Sequence, residues 1–383
     1  MLRLAVLFLL AASLAHAQPV FNLPSIPTST AAASAARSAT LSGTGDPHEM
    51  MLNPAFLGEA SGLRVSGSGS SAWLGFDDIG LRGLAVSYGA DLEVAGRPVR
   101  LGVGAVRDVF RIENIAIAAP DPTSLTFDLT ETAHTLGAGV RLDGPVRTSL
   151  GIAATYRLGA DLGGGEDYER DRGLTLDLGS LVEIPLSPGP IVEGTVGFPF
   201  SLVAGAAHRN VGLASGLPER DVLGEFPGGP ESFQGSLPPS ETVLGAGTRL
   251  AVDQAVAGGT FTLASLDSRV EREWVGSNEV QPAGLDGTRL ALAVTLFETL
   301  ALRSGFLLVD DRRQSDRSGS SLSFRIDGLL RGIGIVAEDD ALRSVGERLT
   351  FHATVGSYDF TSGETSSFFG DTRYAGLTLG WRP

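Results

Sequence analysis

The sequence predicts an all-β fold: a transmembrane antiparallel β-barrel of about 14 strands, with 16 as the alternative count. Three observations predict it. Segments of the chain alternate large apolar residues with small or polar ones, the joints between them alternate between short turns and long polar loops, and the chain begins with an export signal.

The alternation is clearest in two near copies, Leu136–Leu142 (LGAGVRL) and Leu244–Leu250 (LGAGTRL). Successive side chains of a strand point to opposite faces. A soluble half-buried sheet would turn Lys, Glu and Asp toward water, whereas the second face here carries Gly, Ser, Thr, Ala and isolated Arg. This pattern is typical of a barrel with an apolar outer surface in lipid and a polar, Gly-rich interior.

Residues 1–17 have the three parts of a secretory signal peptide. A positive start at Arg3 precedes the apolar run 4–14, and the small residues of Ala15-His16-Ala17 follow. The run is too short for the ~20 residues that a membrane-spanning helix needs. We therefore expect export by a cleavable signal peptide to a cell outer membrane of the Gram-negative type.

Residues 18–61 lack strand alternation, since prolines interrupt the start and 28–42 is rich in Ala, Ser and Thr. The segment has too little apolar surface for a core of its own. We expect it to fold as an N-terminal plug inside or against the barrel mouth, and residues 62–383 to form the barrel.

The predicted strands run from 62–74 to 347–360 and include one at 330–338, which makes fourteen. The clear alternation at 373–382 would be a fifteenth and would leave the C-terminus on the wrong side. A sixteenth could come from 111–130, or from 190–212 if Pro199 divides it. Because proline donates no ladder hydrogen bond, Pro199 predicts either a kink with a lateral gap in the wall or a short turn.

Composition excludes several chemistries. All 29 basic residues are arginine, so no P-loop or Schiff-base lysine exists, and the absence of Cys removes disulfides and thiolate metal sites. A net charge of −15 without a basic run argues against nucleic acid. The sequence contains no two histidines at the spacing of metal ligands, and it contains no motif of a catalytic nucleophile. We expect no enzyme activity, no cofactor and no metal.

Seven arginines fall on the small-residue face of seven different strands and are predicted to face the lumen. Each would cost about 2–4 kcal/mol in lipid near the midplane. Either they tie the wall to carboxylates of the plug and inner loops, or they favour anionic cargo. The seven are Arg100, Arg141, Arg157, Arg249, Arg289, Arg303 and Arg325.

Two places resemble PorV/PorQ-type outer-membrane proteins of the wider FadL-like superfamily. The stretch 36–45 leads to the box Asn53-Pro54-Ala55, and 299–306 (TLALRSGF) is similar to a strand of that family. The resemblance implies a fourteen-stranded barrel with a plug, no enzyme activity, and either passage of hydrophobic small molecules or a role in type IX protein secretion. Partners would be outer-membrane lipid and small molecules or secreted proteins.

Three alternatives stay open from the residues. The box Asn53-Pro54-Ala55 is either a structural turn from plug to barrel or a direct ligand contact. The whole chain could instead be a general diffusion porin or a soluble secreted β-protein. A porin would fold a loop inward, whereas this chain has about 44 residues between the predicted signal and the first strand.

Overall fold

The structure is a computed structural model, and it describes ten ranges of the chain. The predicted signal peptide lies outside these ranges. They are 29–41, 45–70, 79–117, 125–161, 172–216, 240–256, 259–276, 286–310, 316–360 and 372–383.

Fourteen antiparallel strands form a closed ring, which confirms the predicted barrel and its lower strand count. Each pairs with its neighbours in the chain, and β1 pairs with β15 to close the ring. A fifteenth element, β7 (Val196–Gly197), is a two-residue bridge to β9. The strands of the ring are β1 (Gly62–Ser70), β2 (Ile79–Val94), β3 (Arg97–Ile117), β4 (Leu125–Leu142), β5 (Arg147–Asp161), β6 (Arg172–Ser187), β8 (Phe200–Gly216), β9 (Glu241–Val256), β10 (Gly259–Val275), β11 (Gly287–Leu296), β12 (Leu300–Val309), β13 (Arg317–Arg325), β14 (Leu349–Phe360) and β15 (Thr372–Trp381).

The alternation seen in the sequence is the alternation of the two faces of the wall. On β12, Leu300, Leu302 and Phe306 are exposed on the outer face, while Arg303 and Gly305 are buried on the inner face. Exposed large apolar residues recur on every strand of the ring, so the outer surface is an apolar band far larger than a soluble protein leaves in water. The band fits lipid, and the soluble alternative is wrong.

The strand predicted at 330–338 is wrong, because a pair of helices connects β13 to β14. Helix α2 (Ile326–Val336) and helix α3 (Asp340–Arg348) pack against each other. Asp339 caps α3 by accepting hydrogen bonds from two backbone N–H groups of its first turn. In a short apolar run, periodicity alone does not distinguish a strand from a helix, which explains the error. With this strand removed, the segment near 373–382 is the fourteenth.

The two ends of the ring differ. At the end we call the short-turn rim, β2 and β3 are joined by two residues and β11 and β12 by three. The β13–β14 helices and both ends of the ring's chain, Gly62 and Trp381, lie at this same rim. At the opposite end, the long-loop rim, most tips lie outside the described residues. In the described part of the chain, no helix is long and apolar enough to span a membrane.

Candidate functional site: the barrel interior

The described N-terminal residues, 29–41 and 45–60, lie inside the ring, and we call them the internal segment. They contact the wall on every side, for example Ala33 against β13, Ala35 against β12 and Leu57 against β3 and β4. A buried segment in contact with strands all around a closed ring can only lie within it. The segment contains helix α1 (Thr30–Ser34) and two short 3-10 helices, Pro47–Met51 and Pro54–Glu59.

Glycines of the wall make room for this segment. A Cβ atom at Gly102 would lie 1.8 Å from the backbone oxygen of Leu57, and one at Gly151 would lie 2.2 Å from the backbone of Pro54. Real side chains do not approach so closely, so the wall is thinned where the segment presses against it. Some of the alternating glycines in the sequence are therefore required because the internal segment packs against the wall at these positions.

The predicted box Asn53-Pro54-Ala55 begins the second 3-10 helix. Asn53 Oδ1 accepts a hydrogen bond from the Ala55 N–H at 3.0 Å, which makes Asn53 the N-cap, and Pro54 occupies the first position of the helix. Asn53 Nδ2 donates to the Ala39 carbonyl at 2.9 Å and to the Ser180 carbonyl at 3.3 Å. One buried side chain therefore joins two parts of the internal segment to each other and to β6.

A second polar contact centres on Glu271 of β10. Its carboxylate accepts hydrogen bonds from the backbone N–H groups of Ala39 and Thr40 and from the hydroxyls of Ser38 and Thr40. Arg289 pairs with the same carboxylate at 2.8 Å and also donates to the Ala36 carbonyl at 2.6 Å. Both charged groups are almost fully buried, so together they bind residues 36–40 to the wall.

Three of the seven predicted arginines contact the internal segment. Arg141 pairs with Glu59 at 2.6 Å, Arg303 pairs with Glu49 at 3.2 Å, and Arg289 makes the contact with Ala36 just described. The other four have partners within the barrel. Arg100 pairs with Asp91, Arg157 donates to Asn210, Arg249 pairs with Asp267 and Glu183, and Arg325 donates to His352.

The sequence did not single out several interior groups that the fold brings together. Arg209 pairs with Glu241 and Glu273, and Arg37 of the internal segment pairs with Glu241. Arg37 and Glu241 are 204 residues apart in the chain. Only the alternation along each strand could have placed these groups on the inner face, and nothing local pairs them.

Pro199 lies at the short-turn rim. β8 begins at the next residue, Phe200, whose partner on β6 is Ser187 in the last pair recorded between the two strands. On the other side the Pro199 carbonyl accepts a hydrogen bond from the Ala251 N–H at 3.0 Å. A proline just before a strand removes no ladder hydrogen bond from the wall.

The β6–β8 pairing is instead irregular around Asn210, which has a positive φ of 60°. The Asn210 N–H donates to Asp177 Oδ1 at 2.7 Å, and its side-chain oxygen accepts from Arg157 at 3.0 Å. Asparagine tolerates this backbone conformation better than most residues, but a lone Asn in an apolar strand gives no sequence signal of a bulge.

His48 lies between two carboxylates. Its Nδ1 is 3.1 Å from Asp46 and 2.9 Å from the Ser66 hydroxyl, and its Nε2 is 3.8 Å from Asp108 on β3. Burial lowers the pKa of His48, but the charge and hydrogen bond of Asp46 and the charge of Asp108 raise it above its usual value. Burial raises the pKa of Asp46, yet His48 and the Ser66 hydroxyl lower it to about 2.

A serine beside a histidine and an aspartate is also the composition of a hydrolase triad. Here Ser66 is 1% exposed and its hydroxyl donates to Asp46 at 2.6 Å, so no substrate can reach it. Among the described residues, no group of three metal-binding side chains comes together. The cluster thus attaches the internal segment to the wall and is not suited to catalysis.

A cavity of about 420 Å³ lies between the internal segment and the wall toward the short-turn rim. Met50, Phe56 and Leu57 of the segment contribute apolar surface to its lining, which otherwise carries several carboxylates and arginines, among them Glu49 and Arg303. A second cavity of about 570 Å³ shares three lining residues with it and reaches the segment around Pro199; the shared residues are Arg249, Thr262 and Ser265.

A closed antiparallel ring with an apolar outer band and a polar interior occupied by its own N-terminal residues defines a transmembrane β-barrel with an internal segment. No family model matches the chain, and no curated protein matches it. Membership of the PorV/PorQ-type proteins therefore stays a prediction.

The chain has weak similarity to solved structures, which include two hydrocarbon channels. A TodX monoaromatic hydrocarbon channel mutant is 8% identical with a TM-score of 0.46, covering 92% of this chain and 97% of that one. The CymD monoaromatic hydrocarbon channel is 10% identical with a TM-score of 0.42, covering 88% and 93%. A FadL homologue from Pseudomonas aeruginosa is 12% identical with a TM-score of 0.38, covering 92% and 96%. Similarity at these low identities and TM-scores does not show a shared function.

Proposed function

We propose that the protein is a non-enzymatic outer-membrane barrel that passes small, largely apolar molecules, with its internal segment acting as the plug of the lumen. The observation that carries this proposal is the cavity between the segment and the wall. Because apolar side chains of the segment contribute to its lining, a molecule bound there touches the plug itself. Binding and opening can therefore be coupled.

The internal segment favours this function over general diffusion. A diffusion porin keeps a water-filled lumen, whereas residues 29–41 and 45–60 contact the wall on all sides here. No contact among the described residues favours the role in type IX protein secretion that the resemblance also implies. The outer-membrane location is supported by the apolar outer band and by the export signal predicted at residues 1–17.

The partners of the arginines support a structural role for the predicted lumen set. Arg141, Arg289 and Arg303 contact the plug, and Arg249 is paired with Asp267 and Glu183. An arginine already paired with carboxylates offers little to an anionic cargo. We therefore place cargo contact at the apolar patch of Met50, Phe56 and Leu57, within a cavity whose other lining residues include these paired charges.

The experiment introduces one disulfide, which we call the staple, between the plug and the wall. Because the chain contains no Cys, no other disulfide can form within it. A Cβ atom at Gly376 would lie 2.7 Å from Thr30 Oγ1 and 3.3 Å from Thr30 Cγ2, so the pair Thr30→Cys and Gly376→Cys has the separation that a disulfide needs. The staple pins the plug to β15, and the chain already joins its other end to β1. Passage of an apolar naphthylamine dye into vesicles containing the barrel should stop when the staple is oxidised and return on reduction.

The single variant Thr30→Cys is the control and should pass dye in both redox states. Deletion of residues 29–60 should raise ionic conductance in a planar bilayer. An oxidised staple that passes dye at the wild-type rate would show that the plug need not move. Unchanged conductance after the deletion would show that the segment does not close the lumen.

A further inference from the structure

We propose that Arg82, Arg107 and His134 form a binding site for the phosphate of a membrane lipid head group on the outer face of the barrel. All three side chains are exposed, and all three lie on the face that carries the apolar band. The site is separate from the lumen. The proposal rests on the proposed outer-membrane location.

The strand register places these side chains together. Arg107 of β3 is directly opposite Leu84 of β2 and His134 of β4, and His134 is opposite Tyr156 of β5. Directly opposed Cβ atoms lie about 4.5–5.5 Å apart. Four neighbouring strands therefore present one continuous outward row, with Arg107 and His134 at its centre.

Arg82 completes the cluster from the diagonal position. It lies two residues before Leu84 on β2 and is paired with Val109, which is two residues beyond Arg107 on β3. Diagonal neighbours at about 7–8 Å are within reach of long side chains. Both guanidinium groups can therefore converge on one anion, and His134 can add a donor from the next strand.

The height of the cluster fits a head group. Arg107 is ten residues along β3 from Arg97 at the short-turn rim, which is about 33 Å of strand, or roughly 25 Å across the membrane at a tilt of about 40°. The apolar band of such barrels is about 25 Å tall. The outward residues below the cluster are apolar, including Val103 and Leu136. The cluster therefore lies at the edge of the hydrocarbon layer.

Charge balance asks for an anion at this place. Among the described residues, neither Arg82 nor Arg107 has a hydrogen bond or an ion pair, although like charges at the edge of lipid repel each other strongly. The contrast is Arg272, an outward arginine of β10, which pairs with Asp310 of the same barrel. A lipid phosphate would neutralise the charges of Arg82 and Arg107, as Asp310 neutralises that of Arg272, and would accept forked charge-assisted hydrogen bonds from their guanidinium groups.

The experiment uses the folded full-length barrel in a neutral detergent with diphosphoryl lipid A as the probe. Retained lipid is counted by native mass spectrometry, and the melting temperature is followed by gel mobility. We expect wild type to retain the lipid and to melt at a higher temperature in its presence, and the double variant R82Q/R107Q to lose most of both effects. R272Q is the matched control and should behave as wild type.

Equal retention by R82Q/R107Q and wild type would overturn the proposal, as would an equal loss in R272Q, because the effect would then reflect general charge. Inorganic phosphate at the same concentration should leave the melting temperature unchanged. If it stabilises wild type as much as lipid A does, the site takes a free anion and the lipid assignment is wrong. None of these measurements depends on dye passage, so failure of the proposed transport function would leave them interpretable.

Discussion

The side-chain oxygen of Asn53 lies 1.9 Å from the position that a Cβ atom on Gly179 would take, so residue 179 can carry no side chain while Asn53 keeps its place. The contact joins the predicted box of the internal segment to the middle of β6. It also shows how the interior is built, with a buried polar residue of the plug set into a gap that the wall leaves open.

The variant Gly179→Ala should therefore loosen the plug. Either Asn53 or the strand must move, and such overpacking costs about 1–3 kcal/mol. We expect a lower melting temperature and easier proteolysis of the internal segment. Gly67→Ala on β1 is the control, since the nearest atom to its Cβ would be 3.9 Å away. Equal melting temperatures of the two variants would contradict the close contact.

Glu271→Gln should destabilise the barrel more than any exposed charge change. The substitution leaves Arg289 buried with only part of its partner set, and breaking a buried pair in this way costs roughly 3–5 kcal/mol. The melting temperature measures the loss. Asp310→Asn is the control, because it removes an exposed ion pair with Arg272 and should have little effect. A Glu271→Gln protein as stable as the control would show that residues 36–40 are held by other contacts.

The double variant R141Q/R249Q separates the two roles open for the lumen arginines. Arg141 links the wall to Glu59 of the plug, and Arg249 links β9 to Asp267 and Glu183. We expect a loss of about 1 kcal/mol for each partly exposed pair, seen as a lower melting temperature, with ion preference in a planar bilayer nearly unchanged. A shift of the reversal potential toward cations with the melting temperature held would instead assign these arginines to anionic cargo.

The attachment of the first 3-10 helix should depend on pH. Because the pKa of His48 is raised above 6.5 in the folded chain, its contribution to stability is complete below that pH and is lost as pH rises through the raised value. Because the pKa of Asp46 falls from 3.8 to about 2, its contribution is present above 3.8 and is lost as pH falls toward 2.

The melting temperature should therefore be highest between about pH 4 and 6.5 and should decline on both sides. On the acid side the free energy of unfolding should fall by roughly 2 kcal/mol. The groups facing His48 are Asp46 and Ser66 on one side and Asp108 on the other. His48→Gln should remove the decline on the alkaline side and reduce the one on the acid side, because the charge and hydrogen bond of His48 are the main causes of the low pKa of Asp46. A variant that keeps the same alkaline decline would assign it to another group.

The sequence by itself determined the class of fold. Leu300, Leu302 and Phe306 alternate with Ala301, Arg303 and Gly305, and this period of two decides which face meets lipid without reference to any other strand. The same rule put the predicted arginines on the small-residue face. It failed at 326–348, where a short apolar run fits helix and strand equally well and only its place between β13 and β14 decides.

The tertiary structure alone decided what the interior groups do. Arg303 meets Glu49 across 254 residues and Arg289 meets the Ala36 carbonyl across 253, so no spacing in the sequence could pair them. In the sequence, the glycines of β3 to β6 cannot be distinguished from other strand glycines. Their contact with the internal segment is visible only in the folded chain. Local alternation is set by the geometry of one strand, whereas partners inside a barrel are set by closure of the ring, which brings distant residues together.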